Sequence, residues 1–411
     1  MNKTHLEHLT KEILERCDTL ATFSETLYNL TRLFLSQPMH DVHKTVRTWM
    51  EEAGMQVRVD AIGNIIGHYA AKTENAKTLL IGSHLDTVKN AGKYDGMLGV
   101  IVGIAAVKAL AGERLTFAVD VIGFSEEEGV RYGKPFFGSK AIIGDFENAW
   151  LELLDENQLN LREAIQTFGL NPDDISKAAY HKENVLGYLE VHIEQGPKLA
   201  SLNQPLGIVS ALVGATRASL TFTGKAGHAG TTPMELRQDA LAGAAQFVLE
   251  AERYAKTLDG LVATVGQISA SPGAINVIPG EVTLSLDVRH SENAVRLRAV
   301  EHLKHNAVEI GRSRHLQCAY QELLDQPAVP LDKAFRNTLE QVTKAPELVS
   351  GAGHDAMVLA PFTPSAMLFV RSPNGISHHP DEIVLEDDIA AALEAVVNFL
   401  HELSKDSRWL S

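Results

Sequence analysis

Cysteine is nearly absent: Cys17 and Cys318 are the only two, far apart and outside any C-x-x-C spacing. This excludes a disulfide framework and a thiolate metal site. Runs of Lys or Arg are missing and the formal net charge is -15, so neither nucleic acid nor an anionic membrane is an expected partner. A small anionic substrate remains open, because one arginine in a pocket can hold a carboxylate. Long apolar runs are missing too. The longest apolar helix candidate starts at Gly99 and meets Lys108, far short of the roughly 20 residues that span a bilayer. The opening stretch M-N-K-T-H-L-E-H-L-T-K-E carries charge where a signal peptide needs an apolar core, and a cytoplasmic location is expected. Neither an internal repeat nor a low-complexity segment is evident.

What remains is an ordinary globular composition, 45% apolar and 22% charged over 411 residues, long enough for two domains. Residues 1 to about 55 read as helices, with His40 to Ala53 amphipathic. From Val57 to about Val209, apolar strand-like runs alternate with helical stretches such as Gly99 to Leu110 and Leu159 to Phe168, the α/β signature. The texture changes near Val213. A strand Ala218–Thr223, a loop Gly224–Pro233, a helix Met234–Ala255, strands Leu261–Ile268 and Glu281–Val288, a helix Asn293–Gly311 and a strand His315–Glu322 spell βαββαβ, a ferredoxin-like α+β unit. After Leu331 the α/β texture returns: a helix over 331–344, a strand Ala366–Val370 and a helix Glu386–Leu403. The expected organisation is an α/β domain over 1–212 and 328–411, with an α+β domain over 213–327 inserted into it.

Three apolar runs end in similar chemistry. Leu79-Leu80-Ile81 leads into Gly82-Ser83-His84-Leu85-Asp86, Phe117–Phe124 leads into Glu126-Glu127-Glu128-Gly129, and Val185–Val191 leads into His192-Ile193-Glu194-Gln195-Gly196. Three adjacent carboxylates repel one another, so a fold that gathers them at the mouth of a sheet needs cations there. Histidine and carboxylate at several strand ends suit a dinuclear zinc-type hydrolytic site. One carboxylate of the cluster would bind metal, and a neighbour would serve as general base. Alternation puts His84 and Asp86 on one side, where Asp86 can accept the proton of the second His84 nitrogen and fix its tautomer; a plain polar strand end is the other reading. Asp95, in Gly92-Lys93-Tyr94-Asp95-Gly96, reads equally as a helix-capping loop residue, and His192 alone as a structural histidine. Of the adjacent pair His378-His379, at most one is a direct ligand. His228, Asn276 and Arg289 sit in Gly- and Pro-rich loops or at a strand end of the inserted segment, where turn and strand-end roles are also open.

Taken together these motifs resemble the amidohydrolase/carbamoylase branch of the M20 metallopeptidase family, which includes allantoate amidohydrolases, N-carbamoyl-L-amino-acid hydrolases and yeast-type β-ureidopropionases. The resemblance runs from about Asn64 to Asp381 through G-S-H-L-D-T-V, G-K-Y-D-G, E-E-E-G, H-I-E-Q-G-P, G-H-A-G-T-T-P-M, N-V-I-P-G, S-G-A-G-H-D-A-M and G-I-S-H-H-P. It implies a zinc-peptidase-like α/β catalytic domain whose inserted domain is a lid and homodimerisation element. It also implies two divalent ions per subunit, zinc or manganese, with His84 and His192 as ligands of different ions, Asp95 bridging, and Glu128 and His378 completing the set. Glu127 matches the general base, Asp86 supports His84, and His228 matches the lid histidine that stabilises an oxyanion. Arg289 and Asn276 match the groups that hold a substrate carboxylate. Gln195, Arg217, Gly353 and His354 fall in the same substrate-binding set. The reaction implied is release of ammonia and carbon dioxide from a ureido compound. Arg217, in Gly214-Ala215-Thr216-Arg217, favours allantoate; N-carbamoyl-L-amino acids are the alternative, and a metal-binding homologue without catalysis is a further one.

Overall fold

A computed structural model of the protein describes residues 2–406. Two compact units emerge: the chain up to Ser210 together with the chain from Leu331 onward, and Ala211–Pro330.

The first unit is α/β. Its sheet runs in the order Gln56–Val59, Ile65–Tyr69, Ala118–Phe124, Thr78–His84, Val185–Ile193, Ser365–Val370 and Leu206–Leu212, with Glu347–Ser350 pairing on the last. The central four strands are mutually parallel. Parallel strands covered on both faces are buried without alternation, and Ala118–Phe124, Val185–Ile193 and Ser365–Val370 are buried at every residue. The helix Met97–Ala109 is apolar all round, and eleven of its thirteen residues are buried, as expected of a helix enclosed by core. Parallel strands place their carboxyl ends at one edge, where open α/β sheets bind ligands. His84 closes one such strand, His192 is the penultimate residue of its neighbour, and Glu126–Glu128 and the loop carrying His378 follow two others.

Within the same unit His43, on the helix Gln37–Glu52, lies edge-on to Phe168. Burial holds its imidazole down to about 3, helped by His40, Arg47 and Arg32. Above pH about 6.5, folded and unfolded chains both keep it neutral. As pH falls below that value the unfolded chain takes the proton and the folded chain does not, so stability is lost at up to about 1.4 kcal/mol per pH unit until the folded value is reached. Thermal melts of metal-free protein between pH 7 and pH 5 are expected to fall less steeply for His43→Leu than for the wild type; equal slopes would refute the assignment.

The second unit has an antiparallel sheet in the order Ile268–Ser271, Glu281–His290, Gly214–Thr223 and Gln317–Gln326, with Val262–Thr264 also paired to Glu281–His290. In Glu281–His290, Val282, Leu284, Leu286 and Val288 are buried between more exposed neighbours, the period-two pattern of a one-faced strand. Ala244, Phe247 and Ala251 of the helix Ala240–Ala255, and Ala299, Leu303 and Ala307 of the helix Asn293–Ser313, close the same core. Two of the element boundaries that differ from the sequence expectation have a visible hydrogen-bond cause. The helix begins at Ala240, not Met234, because Asp239 caps it by accepting from Leu241 and Ala242 N–H, the usual work of an N-cap carboxylate. The run Leu261–Ile268 divides into Val262–Thr264 and Ile268–Ser271, since Ser285 Oγ takes the N–H groups of Gly266 and Gln267 and draws the chain out of the ladder.

Candidate metal centre

Asp95 is the hub. His84 Nε2 and His192 Nε2 lie 3.4 and 3.1 Å from its Oδ1, and His378 Nε2 lies 3.1 Å from its Oδ2. Glu128 Oε1 is 3.6 Å from His378 Nε2, and Glu127 Oε2 is 3.9 Å from His84 Nε2. Among the described residues three groups bring potential ligand atoms within 4.8 Å of one another: His84, Asp95 and His192; His84, Glu127 and Glu128; and Asp95, Glu128 and His378. Thus His84 and His192 face one oxygen of Asp95 together, whereas the sequence reading set them on different ions. Their strands are parallel neighbours in the sheet, so the two imidazoles arrive side by side. Of the histidine pair it is His378 that reaches the cluster; His379 Nδ1 takes the N–H of Asp381 instead.

The donors suit a cation better than they suit one another. His84 Nδ1 is 2.9 Å from the carbonyl of Asp86, and His192 Nδ1 is 2.9 Å from the carbonyl of Ile193. An N–H on Nδ1 leaves a lone pair on Nε2, and in both residues that lone pair faces a carboxylate oxygen. Although the separations are short, the directions are wrong for hydrogen bonds: Asp95 Oδ1, Glu128 Oε1 and His192 Nε2 are buried with no hydrogen-bond partner. Orphaned buried acceptors are costly, and a divalent ion accounts for all three. Without a cation, protons substitute for it. Burial holds the Glu127 carboxyl well above its ordinary range and lifts Glu128 to about 7. Burial opposes charge on His84, yet Glu127, Asp95 and Asp86 overcome it and hold the imidazole well above its usual value. A bound cation reverses this balance and favours anionic carboxylates and neutral imidazoles. The residues therefore fit divalent metal binding.

Asp86 acts differently from the sequence reading. Its carboxylate accepts from the N–H groups of Glu127 and Glu128 at 3.1 and 3.2 Å, while its carbonyl, not its carboxylate, receives His84 Nδ1. Tautomer control passes to the main chain, and the side chain instead fixes the acidic loop. Glu126 folds away from the cluster by accepting from Arg131 and Tyr132 N–H, which leaves Glu127 and Glu128 to face it. Gln195 Nε2 donates to Asp95 Oδ2 at 3.0 Å, so it orients the hub. His354 is buried edge-on against His192 and pairs through Nε2 with Ser350 Oγ at 3.0 Å; burial, then His192, keep its imidazole well below the usual value. Gly353 packs against the Phe136 ring, 3.2 Å from where a Cβ would stand.

Four more residues from the sequence reading belong to the second unit. His228 is exposed, and Gly230 N–H donates to its Nδ1 at 3.1 Å, so a neutral ring carries its proton on Nε2. Its loop is tied by Ala229 N–H to the Asn276 carbonyl and by Arg237 to the carbonyls of Ala229 and Thr232. Asp287 holds both other arginines, Arg289 through Nε at 2.8 Å and Nη2 at 3.0 Å, and Arg217 through Nε at 3.0 Å. Thr216, next to Arg217, is buried against Arg296.

Residues 80–402 match the family model for peptidase family M20/M25/M40. The chain belongs to peptidase family M20/M25/M40. It is 38% identical to the allantoate deiminase of Arabidopsis thaliana, with 96% of this chain and 83% of that one covered. Against the N-carbamoyl-L-amino-acid amidohydrolase of Pseudomonas sp. (strain NS671) it is 39% identical over 87% of this chain and 89% of that one. A hydantoinase/carbamoylase family amidase from Burkholderia multivorans has a similar structure, with a TM-score of 0.89, 28% identity and coverage of 95% and 97%.

For this M20/M25/M40 chain, sequence reasoning missed Ser377, Glu382 and Arg237. Ser377 Oγ stands 3.2 Å from both Asp95 Oδ2 and Glu382 Oε2. Asp381 and Glu382 are adjacent carboxylates in sequence; the fold exposes Asp381 and buries Glu382. Arg237 lay inside the expected helix. Among the described residues no helix is long and apolar enough to cross a membrane.

Proposed function

We propose that the protein is a metal-dependent amidohydrolase that cleaves a ureido C–N bond, with allantoate as its substrate. The convergence of buried, unpartnered ligand atoms of Asp95, Glu128 and His192 on one locus carries the reading, and the kinship with allantoate deiminases supports the substrate. His84, Asp95 and His192 would hold one divalent ion and Asp95, Glu128 and His378 a second, zinc first and manganese as alternative. Such ions would supply Lewis-acid polarisation of a carbonyl and a water made nucleophilic near neutral pH.

Glu127 takes the proton of the attacking water and later delivers it to the departing nitrogen. The new C–O bond forms at the ureido carbon, the C–N bond breaks, ammonia leaves, and the carbamate left behind loses carbon dioxide. His228, its proton on Nε2, donates to the developing oxyanion, a contribution typically worth about 2.7–4 kcal/mol. Arg289, pre-aimed by Asp287, pairs with the substrate carboxylate, and Asn276, Gln195, Arg217, Gly353 and His354 complete the substrate site. The Ala211–Pro330 unit serves as lid and homodimer element, and the setting is cytoplasmic.

The 39% identity to an N-carbamoyl-L-amino-acid amidohydrolase favours N-carbamoyl-L-amino acids as the second reading. Ammonia release from allantoate and from a panel of N-carbamoyl-L-amino acids, with zinc or manganese added, separates the two; no release from any of them would refute the function. Arg289→Gln is expected to raise KM for the carboxylate substrate by about 10–100-fold, the scale of a lost charged hydrogen bond, with kcat little changed. A KM within twofold of wild type would remove Arg289 from the carboxylate contact.

A further inference from the structure

Glu382 sits four residues beyond His378, is 1% exposed, and touches the centre from behind. One carboxylate oxygen, Oε1, accepts from two consecutive main-chain donors, Tyr94 N–H at 2.9 Å and Asp95 N–H at 3.0 Å. The other, Oε2, stands 3.2 Å from Ser377 Oγ, which is itself 3.2 Å from Asp95 Oδ2. The side chain therefore grips Asp95 through its backbone, while the Ser377 hydroxyl, with one hydrogen to give, stands between the two carboxylates and donates to one of them at a time. Gly92 makes the grip possible: a Cβ there would fall 2.4 Å from Glu382 Cβ, Cδ and Oε1.

We propose that Glu382 is a positioning residue for the metal centre, clamping the 92–96 loop that carries Asp95 to the 374–382 loop that carries His378. The inference rests on the metal reading above and extends it to a residue outside the ligand set. Asp95 Oδ1 must face His84 and His192 while Oδ2 faces His378, so a small rotation about its main chain would move both oxygens off their partners. Two buried N–H groups with no other acceptor are also expensive to leave unmatched. The acceptor geometry matters here, and glutamine preserves it: its Oε1 can take both N–H groups while its Nε2 donates to Ser377 Oγ.

The test is metal affinity, measured on full-length protein by competition with a chromophoric chelator, together with Co(II) absorption bands and melting of the metal-free form. Glu382→Ala is expected to bind metal about 10–100-fold more weakly, the usual effect of losing a group that orients ligands. Its Co(II) bands should shift, and Glu382→Gln should restore most of the affinity. Wild-type affinity and bands in Glu382→Ala, or a Glu382→Gln as impaired as the alanine variant, would overturn the proposal. Should Glu382→Ala not fold, Gly92→Ala, whose new methyl displaces the Glu382 side chain, takes its place; unchanged affinity there would overturn it equally. A wild-type protein that binds no metal would instead defeat the metal reading itself.

Discussion

Glu127→Gln is expected to retain its full metal complement while kcat falls by at least ~10², the lower end for loss of a general base. The amide keeps the volume of the buried side chain, and the main-chain N–H at 127 still reaches Asp86 Oδ1, so the acidic loop keeps its shape. What disappears is the proton acceptor 3.9 Å from His84 Nε2. Burial raises the proton affinity of this carboxyl, with Glu128, Asp355 and Asp86 adding to the effect and His84 opposing it. A cation nearby favours the anion, which can accept. Metal analysis beside steady-state ammonia release reads both halves of the expectation. Loss of metal together with activity would show that Glu127 is a ligand, in line with its place in the His84–Glu127–Glu128 group, and retained activity would refute its role as base.

Asp95→Ala is expected to reduce bound metal from about two equivalents to a small residue and to abolish thermal stabilisation by zinc. Both oxygens of Asp95 serve the cluster, and no other carboxylate among the described residues joins both the His192 group and the His378 group. A ligand at about 1,000 times its Kd stabilises a fold by roughly 4 kcal/mol, so the wild type should melt at a distinctly higher temperature with zinc than without. The metal-free proteins should differ far less. Removing Asp95 then removes one anion from a site shared with Glu127, Glu128 and Glu382, and that relief offsets the lost bonds from Gln195 Nε2 and Ser377 Oγ. Melting curves with and without zinc decide it: equal zinc stabilisation of both proteins would exclude Asp95 as hub.

Much of this was legible before any coordinates. Largely apolar runs that lead into His84, Glu126 and His192, interrupted only by Asp120 and Glu190, announce buried parallel strands with chemistry at one edge, because strands covered on both faces lose the polar alternation. The alternation of Val282, Leu284, Leu286 and Val288 likewise announces a one-faced sheet after Val213. Four features were not legible for physical reasons. Sheet order is a tertiary property, so nothing in the spacing of His84 and His192 said that their strands adjoin. Main-chain atoms carry no sequence signature, which is why the Asp86 carbonyl, rather than its carboxylate, was not foreseen as the partner of His84. Asp381 and Glu382 are chemically alike in sequence, and only the path of the loop buries one beneath Asp95 and leaves the other in solvent. The late start of the helix at Ala240 belongs with these, since Arg237 leaves the helical register to bind the carbonyls of the His228 loop.

The central claim, a pair of divalent ions caged about Asp95, is tested most directly by anomalous diffraction at the zinc or manganese edge from crystals grown with that metal. Two peaks are expected, one within coordinating distance of His84, Asp95 and His192 and the other of Asp95, Glu128 and His378. Anomalous density elsewhere, with none beside Asp95 in metal-saturated crystals, would contradict the account.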